Sequence, residues 1–198
     1  NLRSAVSIAR RLQDPLAELV KIDPKAIGIG QYQHDMPPAR LDAALDGVVE
    51  SCVNSVGVDL NTASPSLLEH IAGINSAIAR NIVAYREENG GFTARSELLK
   101  VPKLGKKAYE QCAGFLRISG GKYLLDTTAV HPESYPAAER LLALGGCALE
   151  QIGTERMQEL PALAEKTGYE ALAQQLGAGV PTVRDIIAEL QKLGRDPR

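Results

Sequence analysis

Two short stretches about thirty residues apart carry the residue types best suited to chemistry. They are Ile71-Ala72-Gly73-Ile74-Asn75 and Val101-Pro102-Lys103-Leu104-Gly105, each followed by a helix-forming run. A glycine-bearing loop lets the backbone approach an anion closely, the amides that follow point outward, and the dipole of the next helix adds positive potential. Read as the turn of a helix-hairpin-helix, each stretch suits a nucleic-acid phosphate and carries no means of reading bases. At the second turn Gly105 stands with Lys103, Lys106 and Lys107, which can complete an anion site. Over residues 95 to 117 six basic residues (Arg95, Lys100, Lys103, Lys106, Lys107 and Arg117) face two acidic ones (Glu97 and Glu110), a local net of four positive charges. The chain as a whole has a formal net charge of -2, so attraction to a polyanion has to come from such a patch.

The first turn has Gly73 but places Asn75 where a second glycine is expected, with Arg80 one turn further on. Asn tolerates a left-handed backbone, so this turn is expected to survive. The candidate nucleic-acid-binding residues are therefore Gly73, Ile74, Asn75, Arg80, Lys103, Gly105, Lys106 and Lys107, with the second hairpin the stronger contact. Hairpins of this kind also serve as plain packing units, and a lysine cluster on a helix is usually a solvated face. Duplication of the turn is what favours the phosphate reading.

Other chemistries find less support. His34-Asp35 is the best candidate for a nuclease-type metal ligand, but the acids within residues 1 to 36 (Asp14, Glu18, Asp23, Asp35) do not place two carboxylates on one strand face. Gly28-Ile29-Gly30 lacks the third glycine of a dinucleotide fingerprint. His70 and His131 have no partner four residues on, and Ser119 and Ser134 lack a nucleophile-elbow context. No enzyme activity, cofactor or metal is expected.

The elements that must hold the turns follow from composition and periodicity. With 198 residues, 44% hydrophobic content, 4% aromatics and no Trp, the chain reads as a mainly α protein with a real core. Cys52, Cys112 and Cys147 lie in apolar helical contexts without a CxxC pair, which suggests buried, reduced thiols and a cytoplasmic protein. No apolar run approaches the roughly 18 residues of a membrane span. Residues 1 to 13 read as a helix already in progress, and the first residue is Asn1, so the chain is expected to be a fragment.

Asp14-Pro15 caps a second helix reaching Val20, and Ala26 to Gly30 is predicted as one short strand near the N-terminus. Arg40 to Val56 is predicted as an amphipathic connecting helix, with Leu41, Leu45, Val48, Cys52 and Val56 on its apolar stripe and Gly57 ending it. Ser64 and Pro65 start the first hairpin. A shift of thirty pairs Leu68 with Leu98, Ile71 with Val101, Ile74 with Leu104, Asn75 with Gly105 and Ile82 with Cys112. Each unit leaves one face uncovered, so two packed together make the smallest self-sufficient core. Phe92, after the Gly90-Gly91 turn, is expected to plug the seam.

Beyond Gly120-Gly121 the sequence suggests a third, neutral-to-acidic helical body that serves as scaffold. Ala137, Leu141 and Leu144 form one helix face, and Thr182-Val183-Arg184-Asp185 resembles a capping box opening a last helix through Leu193. The expected organisation is 1–36, 37–63 as a connecting helix, 64–119 as the tandem hairpins, and 120–198.

These residues resemble a known family. Asn61-Thr62-Ala63-Ser64, the two hairpins, Tyr85-Arg86-Glu87-Glu88-Asn89-Gly90-Gly91-Phe92 and Leu98-Leu99-Lys100-Val101-Pro102 are similar to the tandem helix-hairpin-helix domain of ComEA-type DNA-uptake proteins. They are closer still to the Tex transcription accessory proteins, bacterial relatives of a eukaryotic elongation factor. Ile29 to Asp35 resembles the end of the Tex YqgF-like domain, which has a RuvC/RNase H-like fold, and Asp126 to Tyr135 resembles the start of the helical domain behind the hairpins. The resemblance implies sequence-independent binding of DNA or RNA within a multidomain protein, with RNA polymerase or other transcription proteins as further partners. It also implies an OB-fold RNA-binding domain beyond Gly194-Arg195-Asp196-Pro197-Arg198. In this family's hairpin pattern Lys103 and Asn75 stand where glycines are usual.

Overall fold

The structure, a computed structural model, describes residues 2–192; Leu193, read above as the end of the last helix, and residues 194–198 lie outside them. Helices α1 (Leu2–Gln13), α2 (Pro15–Leu19) and α3 (Pro38–Val56) lead to strand β1 (Val58–Asp59). The hairpin region follows: α4 (Pro65–Leu68), α5 (Ser76–Asn89), a 3-10 helix over Arg95–Lys100, α6 (Lys106–Cys112) and strand β2 (Leu116–Arg117). Helices α7 (Tyr135–Leu144), α8 (Leu160–Thr167), α9 (Tyr169–Leu176) and α10 (Val180–Gln191) build the last body. The protein is mainly α-helical, and no helix among the described residues is long and apolar enough to cross a membrane.

The thirty-residue repeat lines one shared core. Leu68 and Leu98, Ile71 and Val101, Ile74 and Leu104, and Ile82 and Cys112 all belong to it, so equivalent positions of the two hairpins cover each other's open face. Each buried aliphatic side chain there gains roughly 1.5–3 kcal/mol on leaving water. Ser64 caps α4 by accepting the Leu67 amide, and Pro65 occupies its first turn. Phe92 fills the seam, stacked on Tyr85 at 5.0 Å between centroids, while the Asn61 side chain exchanges two hydrogen bonds with the Phe92 backbone. The core also takes in Val53, Val58, Leu60 and Ala63, because β1 and β2 pair in parallel, Val58 opposite Leu116, and tie the entry of the hairpin body to its exit.

Several expectations fail where they depend on neighbours. The predicted N-terminal strand is absent: Pro24–Ile27 is a 3-10 turn with the Asp23 carboxylate accepting the Lys25 amide, and Gly28 takes φ 82°. Local turn bonds satisfy this backbone, whereas a lone strand has no ladder to join. Asp14 precedes α2 without a side-chain capping bond. Helix α3 turns Val49 and Val53 to the core, and of the predicted stripe Val48 and Cys52 are exposed. They line an open apolar groove of about 670 Å³ with Leu16, Leu19, Ile22 and Ile27. Cys112 is buried, but Cys147 is half-buried in a loop, so only one of the three thiols matches its expected setting.

A second core joins Leu125, Ala138, Leu141, Met157, Leu160, Leu172, Ile186 and Leu190. Leu144 is half exposed because α7 buries Ala138 and Leu142 in its place. Helix α10 starts at Val180 with Gly179 as its N-cap, two residues before the expected Thr182, since Pro181 fits the first turn and lacks an amide to lose.

Candidate nucleic-acid interface

Both hairpin turns are solvent-facing elbows with the same backbone. Gly73 has φ 81° and Lys103, thirty residues later, has φ 67°; among the described residues Lys103 alone is a non-glycine with positive φ. Asn75 and Gly105 are extended, at φ -94° and -80°, and serve as N-caps of α5 and α6. The left-handed position in each elbow is therefore the third residue, not the fifth as the sequence suggested for Asn75. The fifth residue is where the chain turns into the helix, and there a side-chain acceptor rather than glycine's freedom is useful.

That difference separates the two sites. Asn75 Oδ1 accepts the Ile78 amide at 2.9 Å, so α5 uses part of its first turn internally. Gly105 has no side chain, and among the described residues no hydrogen bond engages the Lys106, Lys107 or Ala108 amides. Lys103, Gly105, Lys106 and Lys107 are all exposed beside them, and among the described residues Lys106 meets only Glu110, at 3.9 Å and with its own side chain 88% exposed. An exposed pair of this kind contributes little and yields readily to a phosphate. Arg80 is exposed on α5.

Three expectations about the basic patch and its elbows need correction. Ile74 is buried, 6% exposed, and its amide bonds the Ile71 carbonyl, so it anchors the elbow rather than touching a ligand. Arg95 and Arg117 are also buried. The Arg117 guanidinium lies over Gly57, where a Cβ would come within 2.9 Å of it, and bonds the Gly114 carbonyl. The exposed charge is therefore the lysine set at the second elbow.

The elbows brace one another across the repeat. Asn81 Nδ2 donates to the Pro102 carbonyl at 2.7 Å. Gln111, the residue thirty positions after Asn81, lies against Gly73, so closely that a Cβ there would stand 2.8 Å from Gln111 Cβ. Each turn thus rests on the second helix of the other hairpin.

A third elbow has no counterpart among the sequence-based expectations. Gly177 at φ 67°, Ala178, and Gly179 at φ -75° lead into α10 with the same order of left-handed and then extended residues. Arg140 donates to the Leu176 carbonyl beside it, and Arg184 lies 4.4 Å above the Tyr169 ring. Pro181 leaves this turn one amide poorer than the second elbow. Its only signal in the sequence is the Gly177-Ala178-Gly179 spacing, which no cluster of basic residues accompanies.

His34 and Asp35 are exposed on a short 3-10 turn, and no group of three or more His, Cys, Asp or Glu side chains able to hold a metal occurs among the described residues. Ser119 is engaged structurally: its hydroxyl donates to Asp59 Oδ2 at 2.7 Å.

Comparison with known proteins agrees with this geometry. A helix-hairpin-helix motif model matches residues 53–117, and a model described as an HHH domain matches residues 123–198, which contain the third elbow. The transcriptional accessory protein Tex of Neisseria gonorrhoeae is 59% identical over 200 residues, spanning all of this chain and 25% of that protein. Protein tex of Bordetella pertussis is 57% identical over 197 residues and 24% of its length, and a human S1 RNA-binding domain-containing protein 1 is 43% identical over 241 residues and 24% of its length. The chain thus spans about a quarter of these relatives. With hairpin models over both bodies and identity at this level from end to end, the chain is a homologue of a quarter-length segment of the Tex proteins.

Proposed function

We propose that this chain binds the sugar-phosphate backbone of DNA or RNA without sequence preference and without catalysis, as part of a cytoplasmic transcription accessory protein. The observation that carries the reading is the second elbow, where unengaged amides of Lys106, Lys107 and Ala108 open beside exposed lysines. A phosphate oxygen there accepts main-chain hydrogen bonds and meets positive charge together. The first elbow adds a weaker contact through Gly73, the early α5 amides and Arg80. Few phosphates are engaged, so Kd is expected in the range of about 10⁻⁴ to 10⁻⁶ M typical of non-specific complexes, and steeply salt-dependent. Titration of the chain with fluorescent duplex, single-stranded DNA and RNA, repeated with Lys106→Glu/Lys107→Glu, tests it. Unchanged affinity of that variant at low salt would refute the site.

A second reading, a helical scaffold for protein contacts with RNA polymerase or another transcription protein, is favoured by the open apolar groove between α2 and α3. It predicts that such a partner shields Val48 and Cys52 and that the two hairpin turns are themselves buried in the intact protein.

A further inference from the structure

One buried cation of the hairpin body points away from the elbows and into the following body. Arg95 opens the 3-10 helix that leads to the second elbow and is 1% exposed. Its amide donates to Asp126 Oδ2 at 2.9 Å. Its guanidinium donates to the carbonyls of Val130, Asp126 and Thr128 and to the Tyr135 hydroxyl. Tyr135 in turn donates to Asp126 Oδ1, and Asp126 is 2% exposed. Burial pulls the Arg95 guanidinium below its ordinary pKa and pushes the Tyr135 phenol up, yet the fork of donors and acceptors is almost complete. Among the described residues Arg95 Nε is the single buried polar side-chain atom without a hydrogen bond, and it faces Asp126 Oδ1 at 3.9 Å.

The same loop also reaches the other arm of that hairpin. His131 Nε2 lies 3.0 Å from the Glu110 carbonyl of α6. Residues 126 to 135 therefore hold both helices flanking the elbow at 101–105, one through Arg95 and one through Glu110. Further backbone bonds, Ile118 to Asp126 and Lys122 to Thr93, run alongside.

We propose that the Asp126–Tyr135 loop is a clamp that locks the two helical bodies into one rigid unit and fixes the second elbow in its binding geometry, with Arg95 as the positioning residue. Arg95 touches no ligand; it acts by holding the helix from which the elbow departs. A planar fork that meets four acceptors in fixed directions defines an orientation that a purely apolar seam would leave free to slide. The binding part of this inference rests on the phosphate-binding reading above, whereas the mechanical part does not.

The test compares the full chain with Arg95→Met and with Arg95→Met/Asp126→Asn, the second variant removing both charges so that no uncompensated carboxylate stays buried. Amide ¹⁵N relaxation gives separate rotational correlation times for residues 58–118 and 137–190, and titration with a fluorescent DNA duplex gives affinity. The wild-type chain is expected to tumble as one body. In the double variant both bodies remain folded but tumble separately, and duplex affinity falls about three- to tenfold as preorganisation disappears, with every elbow lysine still present. A double variant that tumbles as one body with wild-type affinity overturns the clamp. Separate tumbling with unchanged affinity overturns the positioning role of Arg95. Absence of duplex binding by the wild-type chain, with loosening in the variant, would instead overturn the phosphate-binding reading and support the clamp.

Discussion

Gly73 and Lys103 hold equivalent places in two elbows thirty residues apart and share a left-handed backbone, yet only one of them is the residue that backbone favours. A side chain in this region costs about 1–2 kcal/mol relative to an ordinary conformation. A lysine kept there against that cost adds an exposed cation to the elbow that leads into α6. Lys103→Gly is accordingly expected to leave stability unchanged or raise it by up to about 1 kcal/mol, relief of strain being partly offset by the greater freedom of glycine in the unfolded chain. Affinity for nucleic acid should fall in the same variant. Urea denaturation together with a binding titration checks both, and a marked loss of stability would contradict the strain.

Gly73→Ala is the converse experiment. The new methyl would need φ 81° and would stand 2.8 Å from Gln111 Cβ and 3.2 Å from the Ala108 carbonyl. Because the neighbour is the next hairpin's helix, little can yield, and a loss of about 1–3 kcal/mol is expected. Thermal unfolding of the variant measures it.

Asn75 trades binding capacity for helix capping. Asn75→Gly removes the acceptor held by the Ile78 amide at a cost of a few tenths of a kcal/mol, about what is typical when glycine replaces a capping side chain. The released amide makes the first elbow resemble the second, so affinity for a duplex should rise at constant salt. Asn75→Ala, which lacks glycine's adaptability at this position, should cost more, about 0.5–2 kcal/mol.

The lysines have a salt signature. Removing one cation that neutralises a phosphate lowers the slope of log K against log salt by about 1. Lys106→Gln/Lys107→Gln should therefore bind more weakly and less salt-dependently, with an unchanged urea midpoint because both side chains lie in solvent. A weaker complex with the original slope would show that the two lysines act through something other than phosphate.

Burial pushes the Cys112 thiol up to about 12 from an ordinary value of 9.0. A group whose folded pKa is raised gives stability that is complete below its unfolded pKa and is lost as pH climbs toward the folded one. Between about pH 9 and 12 the hairpin body should lose stability at up to about 1.4 kcal/mol per pH unit for this thiol, since only the unfolded chain releases the proton. Cys112→Ala should flatten that dependence in urea denaturation compared at about pH 8 and about pH 10.5, on either side of the unfolded thiol's titration. In the folded chain exposed Cys52 should react with a maleimide long before Cys112 does.

Much of the hairpin body was legible in the chain alone because its information is local and repeated. The pairing of Ile71 with Val101 and of Ile82 with Cys112, the Ser64-Pro65 start and the Gly90-Gly91 turn each follow from helical spacing, capping chemistry or the needs of a tight turn. So did the second elbow, where Gly105 and three lysines lie within five residues of one another.

Tertiary structure decided which charges and apolar faces meet water. Arg95 and Lys103 look alike in a count of basic residues, but one is enclosed by carbonyls supplied from residues 126 to 130 and the other stands in solvent. Likewise α3 has apolar residues on more than one face, and the position of Val53 against the hairpin core selected the buried one. The order of residues sets the period of a helix and the caps at its ends, because those depend on neighbours a few places apart. Which side turns inward, and which arginine becomes a buried tie between bodies, depends on partners tens of residues away whose desolvation and hydrogen bonds settle the balance.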